Sequence, residues 1–575
     1  MGFSLAIFNE NMKIKFPKEQ SCVNERRNKI ALSGFCLSSF FIKKFEKEKI
    51  LFENEQYVIC VDGIILNLQE MLNCYSCDDL AHLMIAVADK QELPLFLNKL
   101  RGNFCGIVYN KKNKNLKVFT DHFAVKTVFY YKNNDLFIVS TKVKDIVDIL
   151  KYNNFKYDID YIGSYALISY GYMYDKHTLI SGIYRLKEGK ILNYDNYISI
   201  YDYYKINISP QNIDVDTAIE KLDELFVKAV ELQYLKNKEY GYTNYAPLSA
   251  GMDSRMTNYV LRKLSNELIV SFTYSETGEY DEIIPMQIAK ELHNKWIFKS
   301  LDNGLDLFNI EESIKIADGL IYYAWPAQLN DFMKYINTDK LGVVHTGVIG
   351  DVVIGTFIKQ YGKKTYQLGD GAFSQKLISK LKSFVDSDDK KAIEYEKGML
   401  TNRAINGACL GYSTTFKLYG EDMSPFMNVD LFDFCMSLPL EFRFRHKLYY
   451  LWVLKKYPMA GKYKHNGISI YGSRSICIKR KNYRIAALKD IVWNQLKVRF
   501  QKGYGMNPVQ AWYDSNSELK KNLDDYFYNN INVMDAYIDL MNDTKQLYKT
   551  GNTIEKIMAI SLVGSIKMFF ENKTI

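Results

Sequence analysis

The sequence lacks a hydrophobic run long enough to cross a membrane, and its nine cysteines lack the spacing of a metal site or a disulfide framework. A bilayer-spanning helix needs about 20 consecutive apolar residues, and the apolar runs here are much shorter. Cys74 and Cys77 form one CxxC pair, without a second pair or two histidines at metal-binding spacing. Unpaired thiols in odd number are typical of a reducing compartment. We therefore expect a cytoplasmic protein that does not bind a membrane.

The first residues, MGFSLAIFNENMKIKF, also lack targeting features. No basic region precedes an apolar stretch, so a secretory signal is not expected. Ala6 stands where N-myristoylation requires Ser or Thr. At 575 residues the chain is too long for one ordinary core, and two or more domains are expected.

The net charge of +9 is concentrated in residues 474–502, which contain nine Lys or Arg and one acid, Asp490. Such a segment binds nucleic acid, docks an acidic protein partner or is a solvated surface. Its aromatic residues form no recognised RNA-binding motif. A solvated or protein-binding surface is therefore favoured, and nucleic-acid binding is not expected.

Residues 1 to about 205 are rich in short β-branched and aromatic runs. Six of them are FSLAIF, YVICVDGIILN, FCGIVYN, LKVFTD, TVFYY and LFIVST. Turn-forming stretches such as KKNKN and YKNND separate some of these runs and predict hairpins. The segments DDLAHLMIAVAD and KVKDIVDIL have helical character. Together these features predict an antiparallel layered domain.

From about residue 210, strand and helix patterns alternate. A helical repeat with an Asp cap, DVDTAIEKLDELFVKAVELQYL, precedes four strand patterns, YAPLS, ELIVSFTY, KWIFKSL and GVVHTG. The alternation predicts a parallel sheet wound by helices. Ligands of such sheets bind beyond the carboxyl ends of the strands, where YAPLSAGMDSR (245–255) and VVHTGVIGD (343–351) lie.

The stretch YAPLSAGMDSR has the composition of an anion-binding turn. A strand followed by small residues and a helix start exposes backbone N–H groups to a phosphate or pyrophosphate. Ser249 and Ser254 can donate hydrogen bonds to phosphate oxygens. Asp253 would repel an anion unless Mg²⁺ lies between them. The alternative is an ordinary strand-to-helix turn with an Asx cap.

S-A-G-M-D-S resembles the S-G-G-x-D-S loop of the ATP-pyrophosphatase (PP-loop) enzymes, and its surroundings resemble the class B asparagine synthetases. Four further segments are similar to that family in the same order, namely SFTYSETGEYDEIIPMQIAKEL, VVHTGVIGDVVIG, SPFMNVDLFDFCMSLPLEF and KLYYLWVLKKYPMAGKYKHNGIS. The first part resembles the family's N-terminal-nucleophile (Ntn) glutaminase, through VDGIILN, LRGNFCGIVYN, DHFAVKTVFYY and TLISGIYRLKEGKIL.

This resemblance implies the fold class and the domain organisation. It implies an Ntn-hydrolase-like αββα layered domain over residues 1–207. A doubly wound parallel-sheet PP-loop domain is expected over residues 208–575.

The glutaminase of this family uses a cysteine at position 2 as its nucleophile, whereas this chain has Gly2. Glycine has no side chain that can attack an amide. Asp62 and Ile64 replace the Asn and Glu of the family's N-G-E motif, and no substrate-binding arginine motif is present. Cys22 and Cys36 do not lie at the required strand terminus. Glutaminase activity is therefore not expected.

The PP-loop domain retains more of the family's pattern. The resemblance implies that Asp253 and Asp351 hold Mg²⁺ against ATP and that Lys464, after Lys462, stabilises the pyrophosphate and the adenylation transition state. It also implies a nucleotide-binding set of Leu248, Ser249, Gly251, Asp253, Ser254, Tyr274, Thr346 and Gly347.

Three positions depart from the family's pattern in the second domain. Val348 and Val352 replace residues next to Gly347 and Asp351, and Asn428 replaces an Asp. None of these changes removes the parts needed for adenylation. They do suggest a different nucleophile and base in the second half-reaction.

We therefore expect an ATP-dependent ligase that adenylates a small-molecule or peptide carboxylate and transfers it to an amine. Without a glutaminase, the amine belongs to the substrate or to a second substrate, as in β-lactam-type synthetases and lasso-peptide macrolactam cyclases. Glu421, Asp422 and Tyr412 lie where a general base is expected. Three alternatives stay open: an enzyme that uses free ammonia, an inactive scaffold, and a nucleic-acid-linked PP-loop enzyme.

Overall fold

A computed structural model gives the structure of the protein. It describes residues 2–10, 12–16, 25–358, 365–385, 393–464, 469–471, 475–478, 481–484 and 505–571. Of the basic segment 474–502, only the backbone of Ser475–Ile478 and Lys481–Arg484 is described, as an antiparallel hairpin. The side chains predicted to bind a protein partner lie outside the described residues.

The first part of the chain forms two antiparallel six-stranded sheets. The strands are β1 (Gly2–Phe8), β2 (Glu25–Leu32), β3 (Phe35–Ile42), β4 (Ile50–Glu53), β5 (Tyr57–Ile65), β6 (Gly102–Asn110), β7 (Asn115–Thr120), β8 (Val128–Lys132), β9 (Leu136–Ser140), β10 (Ile183–Leu186), β11 (Lys190–Tyr194) and β12 (Ile198–Asp202). One sheet has the order β10-β8-β9-β1-β3-β2 and the other β12-β11-β7-β6-β5-β4. Each of the six predicted runs forms a strand.

Helices cover the outer faces of the two sheets, which makes an αββα sandwich. They are α1 (Leu68–Tyr75), α2 (Leu80–Asp89), α3 (Leu93–Lys99), α4 (Val143–Tyr152) and α5 (Tyr161–Tyr170). Strand β5 shows how the layers form, because successive side chains of a strand point to opposite faces. Val58 and Cys60 pack in the core between the sheets, whereas Ile59 and Val61 pack in the core beneath α1–α3. The predicted αββα fold is confirmed.

The second part contains a five-stranded parallel sheet. Its elements in chain order are α6 (Val215–Tyr240), β13 (Thr243–Pro247), α7 (Met252–Leu264), β14 (Ile269–Ser275), α8 (Tyr280–Glu291), β15 (Lys295–Ser300), α9 (Ile310–Ala317), α10 (Ala324–Met333), β16 (Leu341–His345) and β17 (Glu421–Met423). The order is β15-β14-β13-β16-β17. The chain proceeds from β13 to one edge and returns to β16 on the other side of β13. The crevice between β13 and β16 is therefore the topological switch point, where doubly wound sheets bind ligands.

Further helices surround this sheet. They are α11 (Ile378–Phe384), α12 (Tyr395–Met399), α13 (Leu410–Phe416), α14 (Val429–Ser437), α15 (Leu440–Arg443), α16 (Lys447–Lys456), α17 (Pro458–Gly461), α18 (Val509–Ser515), α19 (Ser517–Asn530), α20 (Ile538–Thr550) and α21 (Thr553–Phe570). The last two pack against the first part of the chain, where Tyr165 donates a hydrogen bond to Asp543 and Tyr157 donates to the Phe569 carbonyl. The predicted boundary at residues 207/208 falls between β12 and α6, and the division into domains there stays a prediction.

A buried group of charges joins the two parts, and we call it the ion cluster (Lys49, Asp62, Lys126 and Glu421). Glu421 of β17 lies 2.7 Å from Lys49 and 2.8 Å from Lys126, which is also 3.4 Å from Asp62. Burial opposes ionisation of Glu421, but Lys126 and Lys49 outweigh it and lower the pKa of Glu421 to about 2. The cluster therefore pairs each buried charge with an opposite charge, which offsets the cost of removing it from water.

In the part of the chain that the structure describes, no helix is both long and apolar enough to cross a bilayer. The cysteines described there, which include Cys74 and Cys77, are free thiols. The cytoplasmic location stays a prediction.

Replacing Lys126 with Met should destabilise the protein by about 3–5 kcal/mol, because Asp62 and Glu421 would stay buried with fewer cations to pair with. The free energy of unfolding in urea, followed by tryptophan fluorescence, measures this change. Lys111→Met is the matched control, since its pair with Glu53 is partly exposed and contributes about 1 kcal/mol or less. Equal losses in the two variants would contradict the stabilising role of the cluster.

Candidate active site

Residues 248–254 comprise the turn after β13 and the first three residues of α7, and we call them the candidate phosphate loop. The hydroxyl oxygens of Ser249 and Ser254 lie 2.9 Å apart, and Ser254 Oγ accepts a hydrogen bond from the Ser249 amide at 3.0 Å. The Gly251 amide donates to Ser249 Oγ at 3.1 Å. The loop leads into a 13-residue helix, whose N-terminal N–H groups favour an anion.

Ala250 does not distort this loop. Gly251 has a φ of −64°, and Ala250 is likewise outside the left-handed region. The Ala250 side chain is buried and its amide donates to Asp281 Oδ1 at 2.9 Å. Gly251 therefore does not supply the conformational freedom expected of it, and an alanine at position 250 adopts the observed backbone without strain.

The segment that follows β16 lies directly against the start of α7. A Cβ atom on Gly347 would stand 2.5 Å from the Ser254 nitrogen, and one on Gly350 would stand 2.5 Å from Asp253 Cγ. Only glycine fits at such distances. Thr346 lies at the same point, where its buried hydroxyl oxygen has no hydrogen-bond partner among the described residues. Since buried hydroxyls are normally paired, this oxygen is suited to a ligand.

This close approach brings the two predicted metal ligands together. The Asp351 amide donates to Asp253 Oδ2 at 2.7 Å. Burial and the nearby Asp351 carboxylate raise the pKa of Asp253 to about 8. Two adjacent carboxylates with hard oxygen donors fit Mg²⁺, which usually takes its other ligands from phosphates and water. Among the described residues, no group of three or more His, Cys, Asp or Glu side chains forms a metal site.

Three side chains that sequence reasoning missed surround this carboxylate pair. Tyr449 of α16 donates a hydrogen bond to Asp253 Oδ1 at 2.9 Å. Thr356 donates to Asp351 Oδ2 at 2.7 Å, and His446 Nε2 lies 3.0 Å from the Thr356 hydroxyl. These residues orient the two carboxylates. Tyr449 lies in KLYYLWVL, which has the pattern of an apolar helix, and no local motif identifies Thr356 or His446.

Leu248 and Tyr274 are both buried beside the loop. The Leu248 carbonyl accepts a hydrogen bond from Thr273 Oγ1 at 2.7 Å. Tyr274 lies on the opposite face of β14 from Thr273, with its ring centroid 5.9 Å from that of Phe332. Burial and the neighbouring Tyr412 raise the pKa of Tyr274 well above its ordinary value. Nucleotide contacts of Leu248 and Tyr274 stay predictions.

The structure brings Lys464 beside the phosphate loop. One nitrogen of Arg255, Nη2, donates to the Ala250 carbonyl at 2.8 Å and to the Lys464 carbonyl at 2.9 Å. The two backbone segments are therefore adjacent. Lys464 and Lys462 are both exposed, and Lys462 pairs with Glu291 at 2.9 Å.

The glutaminase-like end of the molecule has no space for a nucleophile at Gly2. A Cβ atom there would lie 2.0 Å from Thr141 Oγ1, so the Thr141 side chain fills the position. Asp62 belongs to the ion cluster through Lys126, and Ile64 is buried. These observations agree with the expected loss of glutaminase chemistry.

Cys36 is not placed to replace the missing nucleophile. It is buried on β3 opposite Ala6 of β1. Burial raises the pKa of its thiol, and a protonated thiol is a poor nucleophile. Cys22 lies outside the described residues.

The three residues named for the general base have different environments. Glu421 is ionised within the ion cluster and faces the first part of the chain, which argues against it. Burial and the neighbouring Glu421 carboxylate raise the pKa of Asp422 to about 7. Tyr412 hydrogen-bonds Tyr274. Neither of the last two is identified as the base.

The substituted positions around the site are apolar or structural. Val352 is buried, and the Val348 carbonyl accepts a hydrogen bond from Ser424 at 2.8 Å. Asn428 caps α14, where its side chain accepts from the Asp430 amide at 3.1 Å. Asn428 thus has a structural role as a helix cap.

Comparison with known proteins identifies relatives in both parts. A family model described as a glutamine amidotransferase domain matches residues 42–148. Asparagine synthetase [glutamine-hydrolyzing] 1 of Bacillus subtilis (strain 168) is 23% identical over 255 residues, which are 42% of this chain and 38% of that protein. A protein provisionally named asparagine synthetase [glutamine-hydrolyzing] 2 of Methanocaldococcus jannaschii is 23% identical over 274 residues, 45% of this chain and 52% of that protein. The matches thus span about half or less of these relatives.

These matches confirm the resemblance to the class B asparagine synthetase family but do not identify a branch. Among solved structures, the glutamine phosphoribosylpyrophosphate amidotransferase from B. subtilis, complexed with ADP and GMP, is 10% identical. That likeness covers 52% of this chain and 85% of the other, with a TM-score of 0.24. The score is too low to carry weight, and the fold rests on the sheet topology.

Replacing Gly2 with Cys should not create glutaminase activity, because Thr141 occupies the space of the added side chain. Glutamate release from glutamine should equal that of the unchanged protein in a coupled dehydrogenase assay. Gly2→Ala is the matched control, since it adds the same Cβ atom without a thiol. Both variants should lower the melting temperature. Glutamate release by Gly2→Cys alone would contradict this account of the site.

Proposed function

We propose that this relative of the class B asparagine synthetases activates a substrate carboxylate with ATP and joins it to an amine. The carboxylate attacks the α-phosphorus, pyrophosphate leaves and an acyl-adenylate forms. The amine then displaces AMP, loses a proton to a base and becomes an amide. One observation carries the proposal. The phosphate loop, the Asp253–Asp351 pair and the Lys464 segment meet at the switch point of the parallel sheet, where such folds bind ligands.

The proposed phosphate site is supported by the groups that surround the loop. The first N–H groups of α7 and the hydroxyls of Ser249 and Ser254 provide hydrogen-bond donors for phosphate oxygens. The hydroxyl of Thr346, which has no hydrogen-bond partner in the described part of the chain, adds a further donor from just beyond β16. Gly347 allows the backbone to approach the same place closely. These groups would bind and orient the nucleotide.

The carboxylate pair would hold Mg²⁺, which supplies positive charge beside the pyrophosphate. Asp253 and Asp351 contribute oxygen donors, and Tyr449 and Thr356 keep those donors oriented. Like charges at this distance repel each other, so a cation stabilises the ionised pair. The arrangement therefore suits a nucleotide that arrives with its metal.

Lys464 would stabilise negative charge as pyrophosphate departs. Its ammonium group is exposed and its backbone adjoins the phosphate loop through Arg255. A preorganised cation acts on the charge that develops in the transition state. The ammonium group of Lys462 pairs with Glu291 at 2.9 Å, a contact that would compete with its binding to a phosphate.

The nitrogen would come from an amine of the substrate or of a second substrate. Gly2 and Thr141 leave no nucleophile or space for glutamine hydrolysis at that end of the molecule. The β-lactam-type synthetases and lasso-peptide macrolactam cyclases, which the sequence also resembles, have this requirement. Val348 and Val352, which replace residues of the family's pattern, agree with a changed second half-reaction.

Magnesium and ATP together should raise the melting temperature of the protein. The Asp351→Asn variant should lose the portion of this increase that depends on Mg²⁺. A ligand at 100 times its Kd stabilises a protein by about 2.7 kcal/mol. Differential scanning fluorimetry with ATP, with and without Mg²⁺, measures the effect. ATP–pyrophosphate exchange with a panel of amino acids and short peptides should fall by about 10²-fold or more in the variant.

Asp339→Asn is the matched control for this experiment, because Asp339 is exposed and precedes β16, at the opposite end of that strand from Asp351. It should behave like the unchanged protein in both assays. If ATP with Mg²⁺ fails to shift the melting temperature of the unchanged protein, the scaffold interpretation replaces the proposal.

Release of AMP should depend on an added or substrate-borne amine and not on glutamine. The reason is the filled position at Gly2, which leaves no internal source of ammonia. AMP formation is measured with an active carboxylate from the exchange assay and with glutamine, ammonium or a panel of primary amines. Stimulation by ammonium alone would favour the ammonia-dependent alternative, and stimulation by glutamine would contradict the proposal.

A further inference from the structure

Arg255, the last residue of YAPLSAGMDSR, is fully buried one residue beyond the phosphate loop. Its guanidinium group donates hydrogen bonds to four backbone carbonyl oxygens. Nη1 donates to Ala460 and Tyr463, both at 2.9 Å, and Nη2 donates to Ala250 at 2.8 Å and to Lys464 at 2.9 Å. One acceptor therefore lies in the phosphate loop and three lie in residues 460–464, which we call the lysine loop.

The acceptors of Arg255 are unusual for a buried cation. Among the described residues it forms no ion pair, and burial lowers its pKa to about 10. The group stays charged at neutral pH while the cost of desolvation is offset by carbonyl dipoles alone. A planar guanidinium with several fixed donors can satisfy four carbonyls, whereas a lysine ammonium has three donors. The planar geometry of the guanidinium group, in addition to its charge, is therefore required.

A second contact from the same helix face holds the lysine loop. Tyr259 lies one turn after Arg255, on the same side of α7. Its hydroxyl donates to Glu291 Oε1 at 2.5 Å, and Glu291 Oε2 in turn accepts from Tyr463 at 2.8 Å and from Lys462 at 2.9 Å. Glu291 thus holds the side chains of Lys462 and Tyr463, and Arg255 holds the backbone of the lysine loop. Only the Arg255 contact reaches the phosphate loop as well.

We propose that Arg255 is a positioning residue that ties the lysine loop to the phosphate loop and thereby sets the distance from Lys464 to the bound phosphates. The proposal rests on the proposed adenylation, in which Lys464 stabilises the departing pyrophosphate. A displacement of about 1 Å in a catalytic group can lower a rate by about 10²-fold. Loss of the Arg255 guanidinium group should therefore lower the rate constant more than it weakens nucleotide binding.

The test compares Arg255→Met and Arg255→Lys with Lys464→Met in ATP–pyrophosphate exchange. Arg255→Met should lower kcat by about 10²-fold, with a smaller change in KM for ATP. Arg255→Lys keeps the charge and the long side chain and serves as the variant that retains the fold if Arg255→Met does not. Its kcat should remain well below that of the unchanged protein, because an ammonium group cannot replace the planar guanidinium group. Full activity of Arg255→Lys would overturn the proposal.

Arg262→Met and Arg262→Lys are the matched controls on the same helix. The Arg262 guanidinium also bonds backbone carbonyls, those of Ser265 and Glu267, but it contacts Asn294 in place of the lysine loop. These variants should keep the exchange activity of the unchanged protein. An equal loss in the Arg262 and Arg255 variants would overturn the proposal, since general destabilisation would then account for both.

A double variant separates positioning from a direct effect. If Arg255 acts through Lys464, Arg255→Lys should cause no further loss in a protein that already carries Lys464→Met. Two contacting residues that work as a unit give such non-additive losses. If the fold-losses of the two single variants multiply in the double variant, Arg255 acts by another route and the proposal is overturned.

Limited trypsin digestion tests, without an activity assay, whether Arg255 holds the lysine loop against the phosphate loop. Cleavage after Lys462 and Lys464, identified by mass spectrometry, should be faster in Arg255→Lys than in Arg262→Lys or the unchanged protein. Unchanged cleavage rates would overturn the proposal. If the unchanged protein shows no exchange activity but Arg255→Lys is cleaved faster, the proposed function fails while the positioning by Arg255 stands.

Discussion

The close approach of two backbone segments is the constraint on which the candidate site depends. Residues 346–351 lie against the first turn of α7 because Gly347 and Gly350 have no side chains that would meet Ser254 and Asp253. The parallel pairing of β13 with β16 sets up this approach. Its consequence is electrostatic, since it places the carboxylates of Asp253 and Asp351 together at the switch point. A cation and an anionic ligand complete such an arrangement better than the protein does alone.

The two ends of the molecule treat buried charge in different ways. At the switch point, the Asp351 amide donates to Asp253, and among the described residues no lysine or arginine forms an ion pair with Asp253. At the junction of the two parts, Glu421 and Asp62 are balanced by Lys49 and Lys126, so the ion cluster is complete without a ligand. Gly2 lies at this second end, where the Thr141 side chain fills the space that a side chain at position 2 would need. The candidate active site and the ion cluster that joins the two parts are thus separate regions of one chain.

Much of the fold was predictable from local pattern, and two of the strands that were not predicted, β2 and β17, have polar sequences. Strands β5 and β6 have apolar side chains on both faces and were evident as runs. Strand β2 was missed because its sequence ERRNKIAL is polar, which an edge strand tolerates. Strand β17 was missed because it has three residues, two of them acidic. Glu421 can be buried there only because lysines from the first part of the chain pair with it.

The sequence by itself determined the phosphate-loop motif, the pair of aspartates, the lysine segment and the absence of a side chain at Gly2. Each lies in a short segment that can be compared with the family's motifs, and this local resemblance is enough to identify it. Only the tertiary structure decided that Thr141 fills the space at Gly2, that Tyr449 and Thr356 orient the carboxylates, and that Arg255 joins two loops. Those contacts link residues far apart in the chain, and their geometry depends on how the helices pack around the sheet. Hydrogen bonds of that kind leave no periodic pattern in the sequence.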